Sequence, residues 1–449
     1  MRQTPPHLLA LAASACLAVT CAPASAQSQM FPPKPEAAGL SAYLLAPGDG
    51  LDATPEGWEH REGARWGNSA LADESFAPTR SGAILTQRFE SLPEADYTVS
   101  VLFRGEGKAR LAGQDEWTSL SSKELNKWEW ATLGSVPSTA VLELELQSTG
   151  GGNSFYYGGV LAEGSVMPVI PVEDAVAKIR AGGPATVVLL GDSVTENWLG
   201  TGGGASSFEA GNAGLMKAWL EQLSGQPVDY HTHRTPAAWE SIDRKAHPDQ
   251  IPTATVDGQS VYDSRSEPDP AAAIHLINLG KGGAAADWGW TRLPDTIVEH
   301  DWFDGVLPKE QRKASVRYGI AHYGPDLTIV NFGTNDVNKD HQDWTAADYL
   351  FHMKVLATML QHRFGSAVVL STPHKWTQGT HLPPERQQAL VDALRQYGQQ
   401  TGIAIADVYA QYGEAAGDGI HPHDAGHRKI ADAYIQALQP AAAPAQEPR

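Results

Sequence analysis

The chain changes its pattern at one place, and that change limits its possible folds more than any other feature. Up to about Gly164, short apolar–polar alternations are separated by turns rich in Gly, Pro and Asn. Beyond Met167-Pro168-Val169-Ile170-Pro171, apolar strand-like runs alternate with helical ones. A chain of 449 residues also exceeds what one ordinary core takes up. Two domains are expected, an all-β one in front of an α/β one.

In the front part, Tyr97, Val99, Val101 and Phe103 fall on one side of an extended run. Leu142, Leu144 and Leu146 alternate with Glu143 and Glu145, as in a half-buried strand. No long amphipathic helix interrupts these runs, so residues 27–164 are expected to form a β-sandwich of jelly-roll type. Trp58, Trp66, Trp117, Trp128 and Trp130 fall within it. Support of the fold is one reading of them, since buried tryptophans in a sandwich are ordinary.

Residues 165–184 read as a linker and lead-in helix, and 185–439 as the larger domain. Val187 to Leu190 is apolar without alternation, the sign of a strand buried on both faces. Further strands are expected at His275–Leu279, Asp326–Phe332, Ala367–Leu370 and Ile403–Val408. Helices are expected at Ala213–Leu223, Ala346–Arg363, Pro384–Gln399 and, capped by Asp424, through Gln439. Such alternation gives a parallel sheet covered by helices on both sides. The segment from His231 to Pro270 is polar and irregular, and reads as an insertion walling one side of a site. The Ala/Pro-rich tail, 440–449, is expected to be disordered.

Residues 1–26 stand apart. Arg2, the apolar run from Leu8 to Thr20, and Ala24-Ser25-Ala26 follow the order of a cleaved signal peptide, with cleavage expected after Ala26. The expected location is therefore secreted or periplasmic. Cys16 and Cys21, the two cysteines, lie inside this segment, and neither sits in a good lipobox. The processed chain would have no disulfide, thiol nucleophile or thiolate metal site. No later run reaches the ~20 apolar residues that cross a bilayer. A formal charge of −19 without a basic patch argues against nucleic acid and against an anionic membrane surface. No protein partner is inferred.

Four blocks fall where strands are expected to end, the place where reactive groups collect in an open parallel sheet. Gly191-Asp192-Ser193 follows the buried run. It offers either a nucleophile, which needs a base to take its proton, or a mere capping serine. Asp418-Gly419-Ile420-His421-Pro422, before the last helix, supplies an imidazole with a carboxylate to orient it. Asn278-Leu279-Gly280-Lys281-Gly282-Gly283 and Gly333-Thr334-Asn335-Asp336 offer backbone and amide donors for an oxyanion, or are plain β–α turns.

In this order the four blocks resemble the SGNH, or GDSL-type, serine hydrolases over roughly Thr186 to Leu438. The resemblance implies a flavodoxin-like three-layer α/β/α fold. It implies Ser193 as nucleophile and first oxyanion donor, Gly283 and Asn335 as the other donors, His421 as base and Asp418 as its orienting acid. The span between Ser193 and Gly283 is longer than a simple βαβ step needs, so Gly283 in preference to Gly282 is the least direct transfer.

His421, His423 and His427 with Asp424 could suggest a metal, but the triad claims His421, and neither metal nor cofactor is expected. Asp192 and Asp336 are expected to shape their turns. Trp198, Trp288, Trp290, His374 and Trp376 lie near the blocks and could line a pocket, core packing being the alternative. The expected reaction is removal of O-acetyl groups from a carbohydrate or polysaccharide, the partner being that acylated substrate. A lipolytic, aryl esterase or thioesterase activity and a non-catalytic glycan-binding role are the alternatives.

Overall fold

The computed structural model describes residues 34, 39–45, 51, 53–62, 74–90, 92–122, 128–150, 155–196, 204–232, 253–256, 259–262, 271–292, 320–336, 344–376, 384–413 and 419–439. Strands β1 (Ser41–Leu45), β2 (Trp58–Glu62), β3 (Glu74–Pro78), β4 (Ile84–Phe89), β5 (Ala95–Leu111), β6 (Thr118–Ser121), β7 (Glu129–Thr139), β8 (Leu142–Ser148) and β9 (Phe155–Gly164) come first. All their pairings are antiparallel, in the order β2-β3-β9-β5-β8-β4, with β1 on β9 and both β6 and β7 on β5.

The 17-residue β5 organises this part. Its first stretch, to Gly105, pairs with β7 and β9; from Glu106 onward it pairs with β6 and β8. The hand-over falls at Gly105, whose φ of +85° suits glycine. Tyr97, Val99, Val101 and Phe103 then share one apolar core with Leu85, Phe89, Leu142, Leu144, Leu146, Phe155 and Tyr157, so both sets of partners close over the same side chains.

The remaining elements are α1 (Val172–Arg180), β10 (Ala185–Gly191), α2 (Asn212–Ser224), β11 (Val228–Thr232), β12 (Thr253–Val256), β13 (Gln259–Tyr262), β14 (Ile274–Asn278), a 3₁₀ turn (Ala286–Arg292), α3 (Ile320–Tyr323), β15 (Leu327–Asn331), α4 (Ala346–Phe364), β16 (Ala367–Ser371), α5 (Pro384–Thr401), β17 (Ala404–Ala406), α6 (Val408–Tyr412) and α7 (Asp424–Leu438). Six strands form a parallel sheet in the order β11-β14-β10-β15-β16-β17. β10 is central, and the chain reverses its direction of travel across the sheet beside it.

Alternate residues of these strands face different helices. Val187, Leu189, Leu276, Ile329 and Val369 cluster with apolar residues of α1, α2 and α7, whereas Val188, Leu190, Ile277, Val330 and Leu370 cluster with those of α4 and α5. Burial from both sides is why Val187–Leu190 lacks alternation.

Three local expectations are modified. The stretch from His231 to Pro270 is not wholly irregular, since β12 and β13 form an antiparallel pair inside it. β11 is an additional strand, concealed in sequence by the polar Asp229 and His231. The N-cap of α7 is His423; Asp424 is the first helical residue, and its carboxylate instead accepts from Ser206 N (2.7 Å) and Oγ (2.6 Å).

The two sheets meet at α4. Ala42 N donates to Thr358 Oγ1 (3.0 Å), Tyr397 OH donates to Leu40 O (2.9 Å), and Lys354 Nζ donates to Gly39 O. Leu44, Leu102, Trp128 and Leu161 share an apolar cluster with Val355, Leu356, Met359 and Leu360. This explains why Leu102, on the second face of β5, is fully buried.

Candidate active site

The serine turn is built by close approach. A Cβ on Gly191 would lie 2.3 Å from Asn331 O and 2.1 Å from Thr195 Oγ1, so only glycine lets β10 end this near β15. Asp192 then folds the turn: its N–H donates to Asn331 O (3.3 Å), its Oδ1 accepts from Val194 N (2.9 Å), and its carbonyl accepts from Glu196 N (2.9 Å). Ser193 sits at the bend, 5% exposed.

His421 arrives from the far end of the chain. Its Nε2 lies 3.0 Å from Ser193 Oγ, across 228 positions of sequence. Gly419, with φ +95°, precedes it and α7 follows it. Asp418 lies outside the described residues.

The third block forms a loop tied at several points. Asn278 Oδ1 accepts from Gly280 N (2.9 Å), and Asn278 Nδ2 donates to Thr195 O (2.8 Å). Lys281 N donates to Gly191 O (2.9 Å), and Gly282 N donates to Glu196 Oε2 (2.6 Å). From the fourth block, Asn335 Nδ2 donates to Ala284 O (2.9 Å) and Asp336 Oδ1 accepts from Ala286 N (2.9 Å). Gly283 stands at the exposed tip with φ +75°. The blocks carrying Ser193, Gly283 and Asn335 are thus joined by direct hydrogen bonds.

This end of the sheet also buries carboxyl groups. Burial pushes Asp192 up to about 6, against hydrogen bonds from Val194 and Thr334 and the attraction of His421. Burial pushes Asp287 to about 6 as well, opposed by backbone N–H groups and by Lys281. Asp336 is raised well above the carboxylate range, first by burial and then by the charges of Asp287 and Asp192.

The aromatic candidates divide. Trp288 is 5% exposed in the apolar cluster that α4 shares, with Lys281 Nζ 5.0 Å from its ring centroid. Trp376 is half-buried, edge-on to His374. His374 is buried, and its Nε2 donates to Ile420 O (2.5 Å), which turns it toward the His421 loop. Trp198 and the Trp290 side chain lie outside the described residues. Of the front tryptophans, Trp58 is in the antiparallel core and Trp128 in the cluster at α4, where Arg104 packs between Trp128 (5.1 Å) and Tyr156 (4.0 Å). Trp117 lies under Arg110 at 4.5 Å, Trp130 packs against the α4 cluster, and Trp66 falls outside the described residues.

Glu196 went unnoticed in sequence. Its one signal was an acidic residue three positions after the serine, in a turn that then proves buried.

The parallel sheet thus carries a serine and a hydrogen-bonded imidazole together at the ends of its strands, in an α/β domain. The model of the GDSL-like lipase/acylhydrolase family matches residues 263–429, and this segment is similar to the SGNH/GDSL hydrolases. The match includes the blocks of Gly283, Asn335 and His421 and begins after that of Ser193. No curated protein matches the chain. Similar solved structures include a point mutant of Axe2, an acetyl-xylooligosaccharide esterase from Geobacillus stearothermophilus, at 16% identity and TM-score 0.34, covering 57% of this chain and 95% of that one. A family two carbohydrate esterase from Clostridium thermocellum in complex with cellohexaose has 13% identity and TM-score 0.31, covering 85% and 98%. The inhibitor-bound aryl esterase of M. smegmatis has 15% identity and TM-score 0.33, covering 57% and 100%.

Proposed function

We propose that the protein is an exported serine carboxylic-ester hydrolase that removes O-acetyl groups from a carbohydrate. The observation that carries the chemistry is the 3.0 Å approach of His421 Nε2 to Ser193 Oγ. With its proton on Nδ1, His421 accepts the serine proton as Oγ attacks the ester carbonyl, and Asp418 orients the ring. The tetrahedral oxyanion takes hydrogen bonds from Ser193 N–H, Gly283 N–H and the Asn335 amide. Gly282 N–H is committed to Glu196, which favours Gly283 as the loop donor. His421 then protonates the leaving alcohol. Water, deprotonated by the same imidazole, releases acetate from the acyl-enzyme.

A small acyl group is favoured because the long stretch between the serine and glycine blocks is polar and lacks the apolar character of a lid for acyl chains. We read residues 1–26 as an export signal. We read 27–164 as a β-sandwich domain and 185–439 as a three-layer α/β/α domain. The single antiparallel core supports the first, and the two helix clusters flanking the parallel sheet support the second. Burial of Trp58 and Trp128 favours a supporting role for the β-sandwich.

The test is acetate release from a panel of acetylated polysaccharides, with short- and long-chain nitrophenyl esters alongside. Acetate release and short-chain preference are expected, and Ser193→Ala should lower the rate by at least about 10³-fold. Full activity in that variant would remove the catalytic assignment. Preference for long acyl chains with no acetate from any glycan would remove the substrate class.

A further inference from the structure

We propose that His374 is a positioning residue for the catalytic base, holding the Ile420–His421 peptide in place through the Ile420 carbonyl. The inference rests on His421 being that base.

Gly419 adopts φ +95°, and Ile420 is 40% exposed. The imidazole of His374, three residues beyond β16 at the end where the serine turn lies, reaches the Ile420–His421 peptide. Its Nε2 is 2.5 Å from Ile420 O, and a carbonyl offers no proton, so the hydrogen belongs to the ring. A peptide unit is planar and stiff. Fixing the Ile420 oxygen therefore fixes His421 N, and with it the stem from which the base reaches Ser193.

His374 is itself held from several directions. It is 3% exposed, and its own carbonyl accepts from Gln387 Nε2 of α5 at 2.5 Å. Its ring meets Tyr412 (centroids 5.0 Å apart) on one side and the edge of Trp376 (6.3 Å) on another. Tyr412 in turn bears on the start of α7, where a Cβ on Gly426 would lie 2.7 Å from its hydroxyl and 2.6 Å from Pro422 Cβ. The base is thus referenced to the rigid sheet through a buried side chain, as a preorganised site requires.

The experiment compares wild type, Ser193→Ala, His374→Phe and His374→Gln on p-nitrophenyl acetate, with thermal melts of each. Phenylalanine keeps the ring and removes the donor; glutamine restores an N–H. His374→Phe is expected to lower kcat about 10- to 100-fold with KM within about twofold, since a residue that acts through the base loop leaves substrate binding alone. His374→Gln should recover most of that loss. His374→Leu repeats the deletion should the phenyl ring fail to pack. Unchanged kcat in the folded deletion variants, a loss confined to KM, or equal loss in His374→Phe and His374→Gln would each overturn the role. A wild-type rate that Ser193→Ala leaves intact removes the serine mechanism itself, and His374's role with it. A Ser193-dependent rate that His374→Phe leaves intact removes only the latter.

Discussion

Asp287 carries a cost that depends on pH. In the folded protein its carboxyl is pushed from 3.8 to about 6, chiefly by burial. Between those values the native state holds a proton that the unfolded chain has lost, so stability falls as pH rises through this window. Above about pH 6 the full cost is present, at most about 3 kcal/mol. Asp287→Asn removes the ionisable group. Relative to wild type its melting temperature should be higher near pH 8, with the difference vanishing near pH 4. A difference that stays constant across that range would show that burial of charge is not the cause. Glu196 is a second residue with a separable effect. Glu196→Gln keeps an acceptor for Gly282 N–H and should retain activity, whereas Glu196→Ala frees the loop and should lower kcat about 10-fold or more in nitrophenyl acetate hydrolysis.

Among the elements, α4 does the most. Thr345 caps it through a reciprocal box with Asp348, and Gly365 closes it in the left-handed region. Thr345→Ala should cost about 1 kcal/mol, read as a lower melting temperature with kcat unchanged. Its span was legible: Ala346–Arg363 was expected and Ala346–Phe364 is found. The central strands were legible for the same reason, since a run without alternation has few other uses. β11 was not, because Asp229 and His231 break its apolar pattern at the sheet edge. The serine and histidine turns could be read as motifs, but their 3.0 Å meeting joins segments 228 residues apart, and no local pattern encodes it. His374 shows the same limit. In sequence it was an aromatic near a strand end; its partner is a backbone oxygen, and backbone oxygens leave no trace in sequence.

At the scale of the molecule, the antiparallel and parallel sheets are connected by core as well as by chain. Leu44, Leu102 and Trp128 pack in one cluster with α4 and the 3₁₀ turn that holds Trp288. Such an interface predicts a single cooperative unfolding transition, with calorimetric and van't Hoff enthalpies in agreement. Two resolved transitions would mean that the shared cluster contributes little. It also accounts for an α4 that is buried nearly all round, which sequence alone would assign to the middle of a larger core.

The contact between Ala42 N and Thr358 Oγ1 has a consequence in time. Its partners are 316 residues apart. At ribosomal rates of 5–20 residues per second, roughly 15–60 s separate the synthesis of β1 from that of the helix that covers it. From the time each is made until α4 follows, Leu44, Leu102 and Trp128 lack the helix they pack against in the fold. Biogenesis of this protein is therefore most exposed to aggregation before α4 emerges, and a holding chaperone would act on those residues.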